Sequence, residues 1–291
     1  MKLNGYAYKY KSVLFNNPQK LSAGMQKPAG AYFGSAHNLD TNYIEKLNSI
    51  ISPQEFNKYY DSICAYLNLD IKPKLSISNN ITSKNGGGFT FSQNQINLCA
   101  EDLVCSDYKI IGVKGNKKQA LIEPLSSIPL FASKEAAEKF VKNAETKNNY
   151  GFDYIYITPS SAADKKRLVI QKLAHELIHA QQHMILRQTE GIGVKEIIKA
   201  WTHIMPKNEE EAQKLNIESE KNLKQSYWAD KTLEPAKIPK NSPLGRLAYK
   251  WLNAVKNYSL NDNSYYKNAV EQDAYKRSAE YAQMLFGGIA V

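Results

Sequence analysis

His175-Glu176-Leu177-Ile178-His179 lies within a stretch, about 163 to 187, that reads as one amphipathic helix. On an α-helix, positions i and i+4 stand one turn apart on the same face, so the two imidazoles can address one metal ion while Glu176 points beside it. With five histidines in 291 residues, a chance match of this kind is rare. Leu173, Leu177, Ala180 and Met184 form one apolar flank and Ile170, Ala174, Ile178 and Ile185 another, with the histidine face between them. A helix buried along both flanks holds its polar face rigidly. Asp164, just ahead of Lys165-Lys166-Arg167, is a candidate cap at the start of the helix.

N-terminal to this helix the sequence is rich in strands. Residues 1–41 carry Asn16-Asn17-Pro18, Pro28 and Gly30 with no sustained period, and read as a flexible leader. Residues 42–291 read as a single two-lobed domain. Ser52-Pro53 signals a helix start, with Glu55 in the first turn, Phe56, Tyr60, Ile63 and Leu67 on one face, and an end near Asn68. Ile71 to Ser78 has strand character. Asn85-Gly86-Gly87-Gly88 leads into Phe89-Thr90-Phe91, a turn at Gln93-Asn94 and a strand from Gln95 to Cys99, which together predict a hairpin. Tyr108 to Lys114 and Gln119 to Leu125 suggest a further strand pair, Ser133 to Asn143 a short helix, and Asp153 to Thr158 a strand.

C-terminal to the motif the pattern turns helical. Helices are expected over Val194 to His203, Glu209 to Ser226 and Leu244 to Tyr258; in the last of these Leu244, Leu247, Ala248, Trp251, Leu252 and Val255 follow the helical period. A final helix is expected to open at Asn263-Ser264 and run to about Leu285. The fold class is therefore α+β: a strand-rich N-terminal lobe over about 42–190, containing the motif helix, and an all-helical lobe over about 191–291.

Apolar residues make up 43% of the chain, enough for a sizeable core. No apolar run approaches the roughly 20 residues needed to cross a bilayer, so no membrane span is expected. The N-terminus has no continuous apolar h-region and no small-residue cleavage site, so no signal peptide is evident; this implies a cytoplasmic protein or one exported by a non-classical route. Cys64, Cys99 and Cys105 form no CxxC pair and read as reduced, buried thiols. Thirty-eight basic and 28 acidic residues give a net charge of +10. The basic residues are scattered, which suits a solvated surface and argues against a nucleic-acid partner.

A catalytic zinc site takes three protein ligands and keeps one position open. His175 and His179 can supply two, and Glu176 is suited to accept a proton from an attacking water and return it to a leaving amine. His183 continues the spacing, but eight residues of helix rise about 12 Å, too far for one ion to bridge. The longer pattern HExxHxxGxxH also fails, with Gln182 where the glycine would stand and Ile185 where the third histidine would stand. His203 is geometrically possible, and His37 lies in the leader. Beyond them comes Glu271-Gln272-Asp273-Ala274-Tyr275, in which Glu271 and Asp273 are about 200° apart around a helix, so both cannot easily face one ion.

The segments at about 165–188 and 262–285 together resemble the gluzincin metallopeptidases, whose third ligand is a glutamate on a later helix, in a pattern like ExxA often followed by aspartate. Glu271-Gln272-Asp273-Ala274 matches that pattern, and Tyr275 departs from it where the aspartate would stand. The resemblance implies a zincin-like fold, one Zn2+ held by His175, His179 and Glu271 with Asp273 as the alternative third ligand, and a peptide or protein substrate. It also implies that an edge strand binds extended substrate by β-augmentation, which falls here at Gly87, Gly88 and Phe89. Without the resemblance these glycines are simply a flexible entry to the hairpin. A transition-state stabiliser of histidine, tyrosine or arginine type is expected, with Tyr266, Tyr275 and His203 as candidates.

The implied function is zinc-dependent hydrolysis of peptide bonds by a metal-activated water, with Glu176 as general base. The alternative is a catalytically inactive binding or interaction protein on a zincin scaffold. A structural metal site has less use for a carboxylate directly after the first ligand.

Overall fold

Serine, asparagine and proline decide where the helices begin. In a computed structural model of the chain, described for residues 42–79, 88–90, 94–104, 107–114, 117–120, 130–131, 133–147, 154–193, 196–197, 200, 237–257 and 268–287, seven helices and seven strands are present. The expected leader, most of the helix at Val194–His203, the helix at Glu209–Ser226, and Gly87, His203 and Tyr266 lie outside the described residues. Asn42 caps α1 (Tyr43–Ile50), and Ser52 caps α2 (Pro53–Tyr66), its hydroxyl accepting the Glu55 N–H at 3.2 Å with proline in the first turn.

The strands form two small sheets. In the first, β1 (Lys74–Ser78) pairs in parallel with β3 (Gln95–Cys99), and β3 pairs antiparallel with β2 (Gly88–Thr90), giving the order β1-β3-β2. The expected hairpin is present, with Phe89 opposite Ile96. β1 begins at Lys74 rather than Ile71, because Pro73 has no amide hydrogen to give to a ladder. After the short helix α3 (Ala100–Val104), the second sheet is built on β4 (Tyr108–Lys114). β7 (Tyr154–Pro159) runs antiparallel along one side of β4, while β5 (Lys117–Ala120) and β6 (Leu130–Phe131) share the other. α4 (Lys134–Lys147) packs against this sheet.

The motif helix, α5 (Ala162–Gln188), is the longest of the described elements. Ser161, not Asp164, is its N-cap. The Ser161 hydroxyl accepts the Asp164 N–H at 3.1 Å and the Asp164 carboxylate accepts the Ser161 N–H at 2.8 Å, a reciprocal capping box. Asp164 also accepts a hydrogen bond from buried Lys109 on β4 at 2.8 Å, which ties the second sheet to the start of α5. α6 (Pro243–Lys256) is capped by Ser242, and all six of its expected apolar positions are buried. α7 (Ala269–Phe286) opens at Asn268, a correction to the expected Asn263-Ser264 start. Asn268 wins because its side chain works twice: it accepts the Val270 N–H at 2.9 Å and donates to the Ala254 carbonyl of α6 at 2.9 Å.

All seven strands precede α5, and the named elements after it are helices. α5 is buried all round rather than on two flanks, since Gln171, Gln181, Gln182 and His183 are inside together with the apolar residues. Its N-terminal half, including Val169, Ile170, Leu173, Leu177 and Ile178, joins α1, α2 and the first sheet in one apolar cluster that also takes in Ala274 and Tyr281 of α7. Its C-terminal end, Ile185 and Leu186, joins α6 and Val270 in a second cluster. Burying such side chains contributes about 1.5–3 kcal/mol each. Cys64 and Cys99 are free and buried, and no described helix is long and apolar enough to cross a membrane.

Candidate metal centre

Two elements bring the site together: the middle of α5 and the first turn of α7. Asn268 anchors the start of α7 to α6, so the next turn faces α5 with Glu271 directed at His175 and His179. All three side chains are buried, and together they form a group able to hold a metal ion. Asp273, two residues on, faces elsewhere: its Oδ2 accepts from Gln182 Nε2 at 2.8 Å and from Arg277 Nη1 at 3.3 Å.

The ligand geometry can be tested against an ion. His175 Nε2 and His179 Nε2 are 3.0 Å apart, and Glu271 Oε2 lies 3.3 Å from the first and 3.5 Å from the second. The point equidistant from these three atoms is about 1.9 Å from each, so an ion at the roughly 2.0–2.2 Å typical of zinc–nitrogen and zinc–oxygen bonds fits just off their plane. Glu271 Oε2 is buried and accepts no well-formed hydrogen bond, its contacts to both imidazoles being longer charge–charge contacts. A buried carboxylate oxygen left this way costs about 1–3 kcal/mol, a cost that a cation at the convergence point removes. Two imidazoles and a carboxylate are a donor set suited to zinc.

The charges are strongly coupled. Burial alone would lower the pKa of His179, but the Glu271 carboxylate outweighs it, helped by Glu176 and Gln182, and pushes it up to about 9. Burial would raise Glu271, yet the two histidines draw it down to about 2. Glu176 is half-buried on α5. Burial pushes its carboxyl above the usual range and Glu271 adds to this, against the pull of His175, His179 and the Phe89 backbone N–H.

That N–H belongs to β2, an edge strand of the first sheet, which brings the proposed substrate residues Gly88 and Phe89 beside the motif. The Phe89 ring packs on His183, centroids 5.2 Å apart. His183 is thus a buried neighbour outside the ligand cluster, its pKa pushed down to about 3 by burial and by His179. Tyr275 is buried with its ring 4.3 Å from that of His175. Sequence reasoning missed Gln182, whose Oε1 lies 2.8 Å from His179 Nδ1. The available signal was a Gln181-Gln182-His183 run in a helix that is apolar on both sides of it. No family model matches the chain, and comparison with curated proteins and with solved structures likewise finds no match.

Proposed function

We propose that the chain is a zinc-dependent metallopeptidase of gluzincin type on a two-lobed, zincin-like fold, with one Zn2+ held by His175, His179 and Glu271. The observation that carries this reading is the convergence of three buried donor atoms within 3.5 Å of one another beside Glu176. When bound, the ion would supply Lewis acidity, polarising a scissile carbonyl and acidifying a water. Glu176 takes the proton from that water on its carboxylate and delivers it to the departing amine.

The free edge of β2 supports a peptide as substrate. Among the described residues no strand pairs with β2 on the side away from β3, which supports an extended backbone adding along that side, beside Phe89, whose own N–H acts on Glu176. Tyr275, packed on His175, is the described candidate for stabilising the oxyanion.

Metal analysis combined with cleavage of a peptide library tests the reading. The wild type should carry about one equivalent of zinc and lose cleavage to a chelator. Glu176→Gln should retain zinc and lose roughly 10²- to 10⁴-fold in kcat. Zinc-loaded wild type that cleaves no peptide would refute the peptidase assignment and favour an inactive binding protein on the same scaffold.

A further inference from the structure

Gln182 stands one turn beyond His179 on α5 and is 1% exposed. Its Nε2 donates to the Val270 carbonyl at 3.0 Å and to Asp273 Oδ2 at 2.8 Å, both on α7, while its Oε1 lies 2.8 Å from His179 Nδ1. A backbone carbonyl can only accept, and the Arg277 guanidinium, 3.3 Å from the same Asp273 oxygen, keeps that carboxylate an acceptor as well. The nitrogen end of the Gln182 amide must therefore face α7, and the amide cannot flip. Its oxygen is left facing His179 and can only accept, so His179 Nδ1 carries a proton in either state of the ring, and when the ring is neutral the lone pair falls on Nε2.

The holding chain extends further. Arg277 also donates to Gln181 Oε1, and Gln181 Nε2 donates to the Leu67 carbonyl at the end of α2. Within this network an apolar side chain at position 182 would strand the donor on His179 Nδ1 and leave Asp273 Oδ2 to Arg277 alone. Tyr275, where the gluzincin pattern often has aspartate, brings a ring tilted 45° to that of His175 rather than a carboxylate.

We propose that Gln182 is the positioning residue of this site: clamped by Val270 and Asp273, it locks His179 in the Nδ1–H tautomer and aims Nε2 at the point where His175 and Glu271 converge. The inference rests on reading that point as a zinc site, but the tautomer lock is observable without zinc. It also makes the state of a ligand on α5 depend on the docking of α7. Loss of such a supporting hydrogen bond typically weakens metal binding by about 10- to 100-fold.

The test compares wild type with Gln182→Leu, which is similar in size and makes no hydrogen bond. Long-range ¹⁵N–¹H spectra of the ion-free protein, recorded at a pH where the His179 ring is neutral, should show only the Nδ1–H form in wild type and a mixture in the variant. Zinc titration against a competing chelator should show Gln182→Leu binding about 10- to 100-fold more weakly. If Gln182→Leu does not fold, Gln182→Met gives the same comparison. A pure Nδ1–H form in the apolar variant, or zinc affinity within about twofold of wild type, overturns the proposal. Wild type that shows the locked tautomer but binds no zinc supports the positioning role and removes the zinc reading.

Discussion

Zinc binding should be strongly pH-dependent because the ligand His179 has to give up a proton that Glu271 holds in place. Ligation requires a bare Nε2, yet with no ion bound His179 keeps its proton up to about pH 9. Between pH 7 and 9 the neutral fraction of such a group climbs from about 1% to about 50%, so the apparent association constant should rise about fiftyfold, or roughly 2.3 kcal/mol. A histidine at its ordinary 6.5 would change by only about 1.3-fold over the same range. Calorimetry in two buffers of different ionisation enthalpy should register this proton, with chelator competition correcting for zinc bound by buffer and hydroxide. Glu271→Gln should weaken binding and flatten the pH dependence together, since it removes both a ligand and the charge that raises His179. Wild-type affinity that stays level from pH 7 to 9 would refute the buried charge pair. The same pair fixes the sign for stability of the ion-free protein. The raised histidine contributes fully below about 6.5 and loses its contribution as pH rises through about 9; the lowered carboxyl contributes above about 4.5 and loses it as pH falls through about 2. The pair therefore stabilises most between about 4.5 and 6.5.

Other expectations concern the frame around the site. Asp164→Ala removes half of the capping box and leaves Lys109 buried without its carboxylate, so it should cost about 3–5 kcal/mol in urea denaturation; a loss below about 1 kcal/mol would mean Lys109 finds another partner. Leu173→Ala, at a fully buried position two residues before His175, should cost about 2–5 kcal/mol and lower zinc affinity as the helix face loosens. Gly245→Ala should destabilise by about 1–3 kcal/mol despite alanine's helix preference, because the added Cβ would meet the Pro239 carbonyl oxygen at 2.2 Å and that of Lys240 at 2.7 Å. A higher melting temperature for that variant would show that the 239–240 backbone yields readily.

Legibility in the sequence followed the range of the interactions involved. The extent of the motif helix and the six buried positions of α6 were readable because 3.6-residue spacing sets them, whereas the cap of the motif helix was placed on Asp164 instead of Ser161, its partner in the capping box. The start of α7 was misplaced because several asparagine and serine residues can cap, and the choice falls to Asn268 through a tertiary acceptor, the Ala254 carbonyl. α1 was not foreseen: eight residues are marginal as a helix alone, and its Ile44 N–H is held by Asn79, 35 residues away. Sequence spacing showed that Glu271 and Asp273 could not both face one point, but which of them does depends on how α7 is rotated against α5. The role of Gln182 was hidden for a similar reason, since its fixing partners lie 88 and 91 residues along the chain.

The passage of α5 through two apolar clusters has a consequence for how the molecule acquires its ligand set. Ala180 and Met184 are buried yet belong to neither cluster, so the turns around His179 occupy a seam between them. Each cluster draws in part of α7, Ala274 and Tyr281 in the first and Val270 in the second, so His175 and Glu271 meet when that helix closes back onto α5 across more than ninety residues of chain. Such a closure is a contact of long sequence separation, whose entropic cost grows only slowly with loop length. An ion held there would act as a removable clip on the finished chain, and its retention would report tertiary completion where helix content could not.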